Sequence, residues 1–163
     1  MSTKIDEFKS KMTTFARPNL FEVIVYPINT TVGSYLERFN VNCFSAQIPG
    51  MTTMTTEKDE GYRSIGYQKA YEDVSLGFYV NEDMKEIKFF QDWMKLMIDP
   101  KTNHVGFYDD YVSIVDIKTL SRKKGNDVTM TTTLHDAYPK SLSVVGLDYG
   151  SNDDVMKIDV TFT

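Results

Sequence analysis

Two histidines and one cysteine are all the imidazole and thiol groups that this chain of 163 residues carries. His135 stands beside Asp136, the start of a general-base pair, but such chemistry also needs a nucleophile and an oxyanion donor. Adjacent residues on a strand point to opposite faces, which parts even these two. His104 sits in the loop Asp99-Pro100-Lys101-Thr102-Asn103-His104, with no second histidine or cysteine near it in sequence. A Cys/His zinc set is therefore out of reach, and Cys43 alone makes no internal disulfide. Cys43 reads as a small buried hydrophobe.

The acidic doublets Asp109-Asp110 and Asp153-Asp154 invite a metal reading. A calcium loop needs several oxygen ligands at set spacing around a sharp glycine turn, and Ser151-Asn152-Asp153-Asp154 lacks the rest. Turn chemistry explains it more simply, because Asn and Asp satisfy backbone groups locally. Gly61, Gly66 and Gly77 are too scattered for a phosphate loop. No catalytic residue, cofactor site or metal site is expected, and no enzyme.

Charge narrows the partners. The balance of 18 basic against 23 acidic residues gives a net charge of −5, whereas a protein held to nucleic acid by phosphate contacts needs a basic face. The one basic cluster, Arg122-Lys123-Lys124, reads as a solvated hairpin tip or as a contact with an acidic neighbouring subunit. Residues 1–12 carry charges throughout, with no apolar run for a signal peptide. No stretch approaches the roughly 18 apolar residues of a membrane helix. A soluble protein made in the cytoplasm is expected.

Strands dominate the periodicity. Phe21, Val23 and Val25 alternate over 20–26, and Phe39, Val41 and Cys43 share a face over 35–45. Tyr62 to Tyr71 has an extended pattern, and Val74, Leu76, Phe78 and Val80 alternate with Ser75, Gly77 and Tyr79. Residues 111–120 and 127–135 flank a polar turn and predict a hairpin. There Val128, Met130, Thr132 and Leu134 oppose Thr129, Thr131, Thr133 and His135. A second hairpin is predicted from 141–149 and 155–163, after Pro139 interrupts the pattern. One helix is predicted, over about 84–98, with Ile87, Phe90, Met94 and Met97 at helical spacing, in a stripe broadened by Phe89, Trp93 and Leu96. Asp83 with Glu86 resembles a capping box.

Between these elements, 49–61 is a long polar excursion whose threonines would allow an exposed hairpin arm. Residues 1–14, with Ile5, Phe8 and Met12, form an arm too short to hold a helix without a partner surface. The expected fold class is mainly β: a small antiparallel sandwich or barrel of about seven strands, one flanking α-helix and long polar loops. The expected organisation is a flexible arm over 1–14 and a single domain over 15–163.

Several blocks, in order, resemble a known family. Phe15-Ala16-Arg17-Pro18-Asn19-Leu20-Phe21 is similar to the opening of the tail tube proteins of contractile-tailed, T-even-like bacteriophages. The similarity continues at Phe39 to Gly50, at Tyr71-Glu72-Asp73-Val74, and at Val80-Asn81-Glu82-Asp83 leading to Phe90-x-Asp92-Trp93. It ends at Tyr138-Pro139 and Leu147-Asp148-Tyr149 before Ser151-Asn152-Asp153. The amino-terminal arm departs from the family.

The resemblance implies a structural subunit that forms homohexameric rings stacked into a hollow tube, with the sheets of six copies joined in one lining. It implies a contractile sheath outside, a baseplate with tube-initiator proteins below, a tape-measure protein, and double-stranded DNA passing without specific binding. The location implied is the virion tail. Six copies at −5 give about −30 per ring, which suits a conduit that must release phosphates. Expected inter-subunit contacts are Phe8, Phe15 and Arg17 near the arm, Met51, Met54, Glu57 and Lys58 on the excursion, and Arg122, Lys123 and Lys124. The alternatives are a tube subunit of a contractile injection or type VI secretion system, a baseplate tube initiator, a small-ligand-binding β-barrel, and a hydrolase on His135.

Overall fold

β-Branched and aromatic residues in alternation build nine strands among the residues that the computed structural model describes, namely 4–12, 16–26, 42–58, 63–122, 127–150 and 154–163. In chain order these are α1 (Lys4–Met12), β1 (Phe21–Val25), β2 (Cys43–Ala46), β3 (Met51–Lys58), β4 (Arg63–Tyr71) and β5 (Val74–Tyr79). There follow α2 (Lys85–Met97), α3 (Tyr108–Tyr111), β6 (Ser113–Leu120), β7 (Val128–Ala137), β8 (Pro139–Leu142) and β9 (Lys157–Phe162). All the strand pairs are antiparallel. They form a three-stranded sheet, β1-β6-β7, a four-stranded sheet, β2-β5-β9-β8, and the separate hairpin β3-β4.

One core joins the two larger sheets. Val23, Val25, Val115 and Ile117 come from the three-stranded sheet, and Leu76, Phe78, Ile158, Val160 and Phe162 from the four-stranded one. Helix α2 adds Phe89, Phe90 and Trp93. Their rings meet edge to face or tilted, Phe90 lying 5.3 Å from Phe78 and 6.2 Å from Phe162, with Trp93 5.9 Å from Phe162. Each such pair contributes about 0.5–1.5 kcal/mol beyond area burial. The Trp93 indole N–H donates to the carbonyl of Tyr111 at 2.7 Å and so fixes α3 against the helix.

The helix falls where its periodicity predicts, but its cap does not. Asp83 pairs with Lys85 at 2.5 Å, and the N-cap position is Met84, in left-handed backbone with no side-chain cap bond. Glu86 turns inward and is buried, accepting from the Asn81 backbone N–H at 3.1 Å, Asn81 Nδ2 at 2.7 Å and Asn42 Nδ2 at 3.1 Å. The capping-box expectation is thus corrected: three donors hold this carboxylate more strongly than one exposed backbone N–H would. Within the apolar stripe Phe89, Phe90 and Trp93 are buried, and Ile87, Met94 and Met97 are half-buried at its margins.

Other boundaries shift for identifiable reasons. Of the strand expected over 35–45, Cys43–Ala46 is observed, and 35–41 lies outside the described residues. Pro139 opens β8 instead of interrupting it, opposite Phe162, because the first residue of a strand can lack an N–H. The strand expected over 141–149 ends at Leu142, with one further backbone bond at Ser143, and 144–149 runs on outside any named strand. Over 51–58 the polar excursion is a strand, paired from Met51↔Tyr71 to Lys58↔Arg63 as an exposed arm. Residues Lys4–Met12 are helical, with the acids Asp6 and Glu7 in the first turn where the helix dipole favours them.

Gly106 supplies a stability test. Its N–H donates to the Met97 carbonyl at 2.9 Å, and a Cβ there would fall well inside van der Waals contact of the Leu96 carbonyl oxygen. Backbone cannot yield as a side-chain tip does, so Gly106→Ala should cost about 1–3 kcal/mol. Differential scanning calorimetry should show Tm lower by roughly 3–10 °C.

Candidate assembly surface

The register of β3 and β4 places Met51 with Tyr71 on one face of the ribbon and Met54 with Ile65 on the other, and no described residue of 51–71 belongs to the core. Met51 and Met54 on β3, and Ile65, Tyr67 and Tyr71 on β4, are all exposed. The Tyr67 hydroxyl reaches Met54 Sδ at 3.8 Å. The arm is anchored at its base, where the Glu72 N–H donates to the Gly50 carbonyl at 3.1 Å. A two-stranded hairpin with no further cover is marginal in water, so this arm calls for a second surface.

Two more surfaces are bare. Along β7, Val128 and Met130 lie about half exposed on the face that Leu134 continues toward the core. In the segment after β8, Val144 is 96% exposed, Leu147 79% and Tyr149 106%. A cleft of about 560 Å³ opens at the base of the arm, lined on its apolar side by Pro49, Val74, Leu134, Ala137 and Phe162. β1 and β7 are the outer strands of one sheet, and β2 and β8 of the other. Outer strands that have no further partner among the described residues can template the addition of further strands.

The opposite faces are polar and internally ordered. On the three-stranded sheet Asp116 accepts from the Tyr26 hydroxyl at 3.0 Å and from Thr133 Oγ1 at 2.7 Å. The hydrogen bond to Asp116, and then its charge, raise the Tyr26 hydroxyl above its usual pKa. Thr129, Thr131 and Thr133 are exposed on this face. On the four-stranded sheet Lys157 lies 5.7 Å and 5.9 Å from the ring centres of Phe44 and Tyr79, a cation over two aromatic faces.

Among the described residues the two histidines stand apart from each other. His135 is exposed on β7, and Asp136 takes φ 55 at a bulge where the chain leaves one sheet for the other. His104 belongs to a turn that Asp99 organises, Oδ1 accepting from the Lys101 N–H at 2.9 Å and Oδ2 from Thr102 Oγ1 at 3.0 Å. Those bonds hold the Asp99 carboxyl below its ordinary pKa. Asp109 and Asp110 are exposed in α3. Among the described residues no three His, Cys, Asp or Glu side chains are grouped to hold a metal ion.

Cys43 is half-buried beside the core, with its thiol pushed up to about 11 by desolvation. Since the thiolate is the reactive form, a maleimide at pH 7 should leave folded protein unlabelled and label it fully after denaturation, as read by intact mass. Rapid labelling of the native chain would contradict this environment.

The expected contact residues separate. Phe8 is exposed on α1, Arg17 on the turn before β1, Met51 and Met54 on the arm, and Arg122 beyond β6. Glu57 and Lys58 lie near the arm's tip, in register with Ser64 and Arg63. Phe15, Lys123 and Lys124 lie outside the described residues. Ile65, Tyr67, Tyr71, Val144, Leu147 and Tyr149 are exposed as well and are not among the expected contacts. Their signal was alternation itself, which marks an apolar face without saying whether the same chain covers it.

Comparison with known proteins gives this arrangement a context. The chain resembles the sheath–tube complex of the extracellular contractile injection system PVC in its extended state, with 18% identity and TM-score 0.57 over 99% of this chain and 93% of that one. It resembles the baseplate of the anti-feeding prophage, with 18% identity and TM-score 0.60 over 92% and 91%. It also shares the fold of an Hcp protein, with 10% identity and TM-score 0.51 over 88% and 87%. No curated protein matches it. The family described as phage tail tube protein matches residues 14–163. The chain therefore belongs to the phage tail tube protein family, as a structural subunit of the tube.

Proposed function

We propose that six copies of the chain close into a ring, and that stacked rings form the inner tube of a contractile tail through which double-stranded DNA passes without specific binding. The observation that carries this reading is the arm, a paired strand ribbon whose apolar side chains find no cover in their own subunit. Burying Met51, Ile65 and Tyr67 against a neighbour would gain about 1.5–3 kcal/mol for each side chain, as an upper estimate. Open sheet edges give further sites of strand addition. Of the proposed contacts, Phe8, Arg17, Met51, Met54 and Arg122 are exposed as such a role requires.

Likeness to sheath–tube and baseplate assemblies supports sheath and baseplate proteins as partners. A tape-measure protein inside the bore follows from the family resemblance alone. The polar faces suit a wet wall, and a net charge of −5 per copy disfavours retention of a polyanion. The subunit acts in the virion tail after synthesis in the host cytoplasm, and by assembly, without catalysis. Negative-stain imaging across protein concentration tests this: rings and hollow tubes are expected to appear as concentration rises. A monodisperse monomer at every concentration would overturn it.

A further inference from the structure

We infer that residues 143–149 of one copy lie along the free side of β7 in the next copy and seat their apolar side chains at the cleft below the arm. The inference rests on the tube reading above and specifies where neighbouring copies meet. Both halves of the contact are incomplete in the subunit. Ser143 is the last residue held to the four-stranded sheet, its N–H donating to the Asp159 carbonyl and its Oγ accepting from the Asp159 N–H, both at 2.8 Å. Val145 still touches the core, but beyond it Leu147 and Tyr149 stand in solvent. The segment has the alternation of a strand and no ladder. Conversely, β7 is the outer strand of its sheet, with Val128 and Met130 half uncovered and Leu134 at the cleft.

The occupant must come from a second copy. β8 pairs Pro139 with Phe162 and Leu142 with Val160, and the cleft lies at the Phe162 end. The 143–149 segment leaves from the other end, about 10 Å away at the rise of a strand, and runs onward from there. A surface at one end of a strand and its complement at the other make a head-to-tail contact, the kind that generates rings or filaments. Covering Val144, Leu147 and Tyr149 removes on the order of 400 Å² from solvent on one copy, about half of what a standard interface needs per partner. Pairing along the β7 edge and the arm's contacts are left to supply the remainder.

Disulfide-scale mapping on the full chain tests this. In a Cys43→Ser background, Thr132→Cys and Leu147→Cys are made separately and mixed under assembly conditions with a short bis-maleimide. Covalent dimers are expected from the mixture and not from either variant alone, and Tyr149→Asp should raise the concentration needed for assembly more than tenfold with unchanged Tm. Tubes that assemble normally while giving no 132–147 product, or that link position 132 to an Ile65→Cys arm instead, would overturn this contact and leave the tube reading standing. If the Cys43→Ser parent forms no rings or tubes at any concentration, the tube reading falls and this contact with it.

Discussion

Excising the arm, with Gly50 joined to Glu72 through a short glycine turn, is expected to yield a folded monomer that forms no tubes. The junction is prepared, because the Glu72 N–H already donates to the Gly50 carbonyl at 3.1 Å across the arm's base. No described residue between 51 and 71 contributes to the core, so its loss should leave the two larger sheets and α2 intact. What disappears is the exposed ribbon of Met51, Met54, Ile65, Tyr67 and Tyr71. If these side chains supply even half of the upper estimate for their burial, affinity between copies falls by several orders of magnitude. Circular dichroism and sedimentation should report a native-like monomer. Tubes of normal length from this variant would remove the arm from the account.

Replacing Glu86 should damage the fold itself. The carboxylate is buried and meets donors from Asn81 and Asn42, tying the start of α2 to the residue just before β2. Glu86→Ala leaves those donors facing a void, and hydrogen bonds to a charged group contribute about 1.5–3 kcal/mol each. After relaxation a net loss of about 3–5 kcal/mol is expected, in the range seen on breaking buried charged networks. Tm should drop by roughly 6–20 °C. Glu86→Gln should recover part of this, since its carbonyl oxygen still accepts while its amide opposes a donor. A loss below 1 kcal/mol for Glu86→Ala would show that the network is dispensable.

Glu86 also shows what the sequence withholds. Glutamate three residues after an aspartate at a helix start reads as a capping box, because local spacing carries no record of Asn42, 44 positions away. The strands were legible for the opposite reason. Val74, Leu76, Phe78 and Ile158, Val160, Phe162 alternate cleanly, and burial on one side of a sheet is all that alternation encodes. It is silent on whose surface does the burying. Ile65, Tyr67 and Tyr71 carry the same signal as the core strands yet stand in solvent, as do Leu147 and Tyr149. Pro139 was misplaced because an edge strand's first position tolerates a residue that its interior rejects. The methionines of the excursion were picked out as adaptable contacts and are exposed on the arm, while their tyrosine neighbours were missed.

The central claim is that apolar surface left bare by one copy is covered by others. Hydrogen–deuterium exchange of assembled against dispersed protein measures this directly, residue by residue. The account predicts that assembly slows exchange chiefly over 51–58, 63–71, 128–134 and 143–149, with little change over the core strands β5 and β9. Exchange that is unchanged in the arm and along β7, in material shown by microscopy to be tubes, would contradict it.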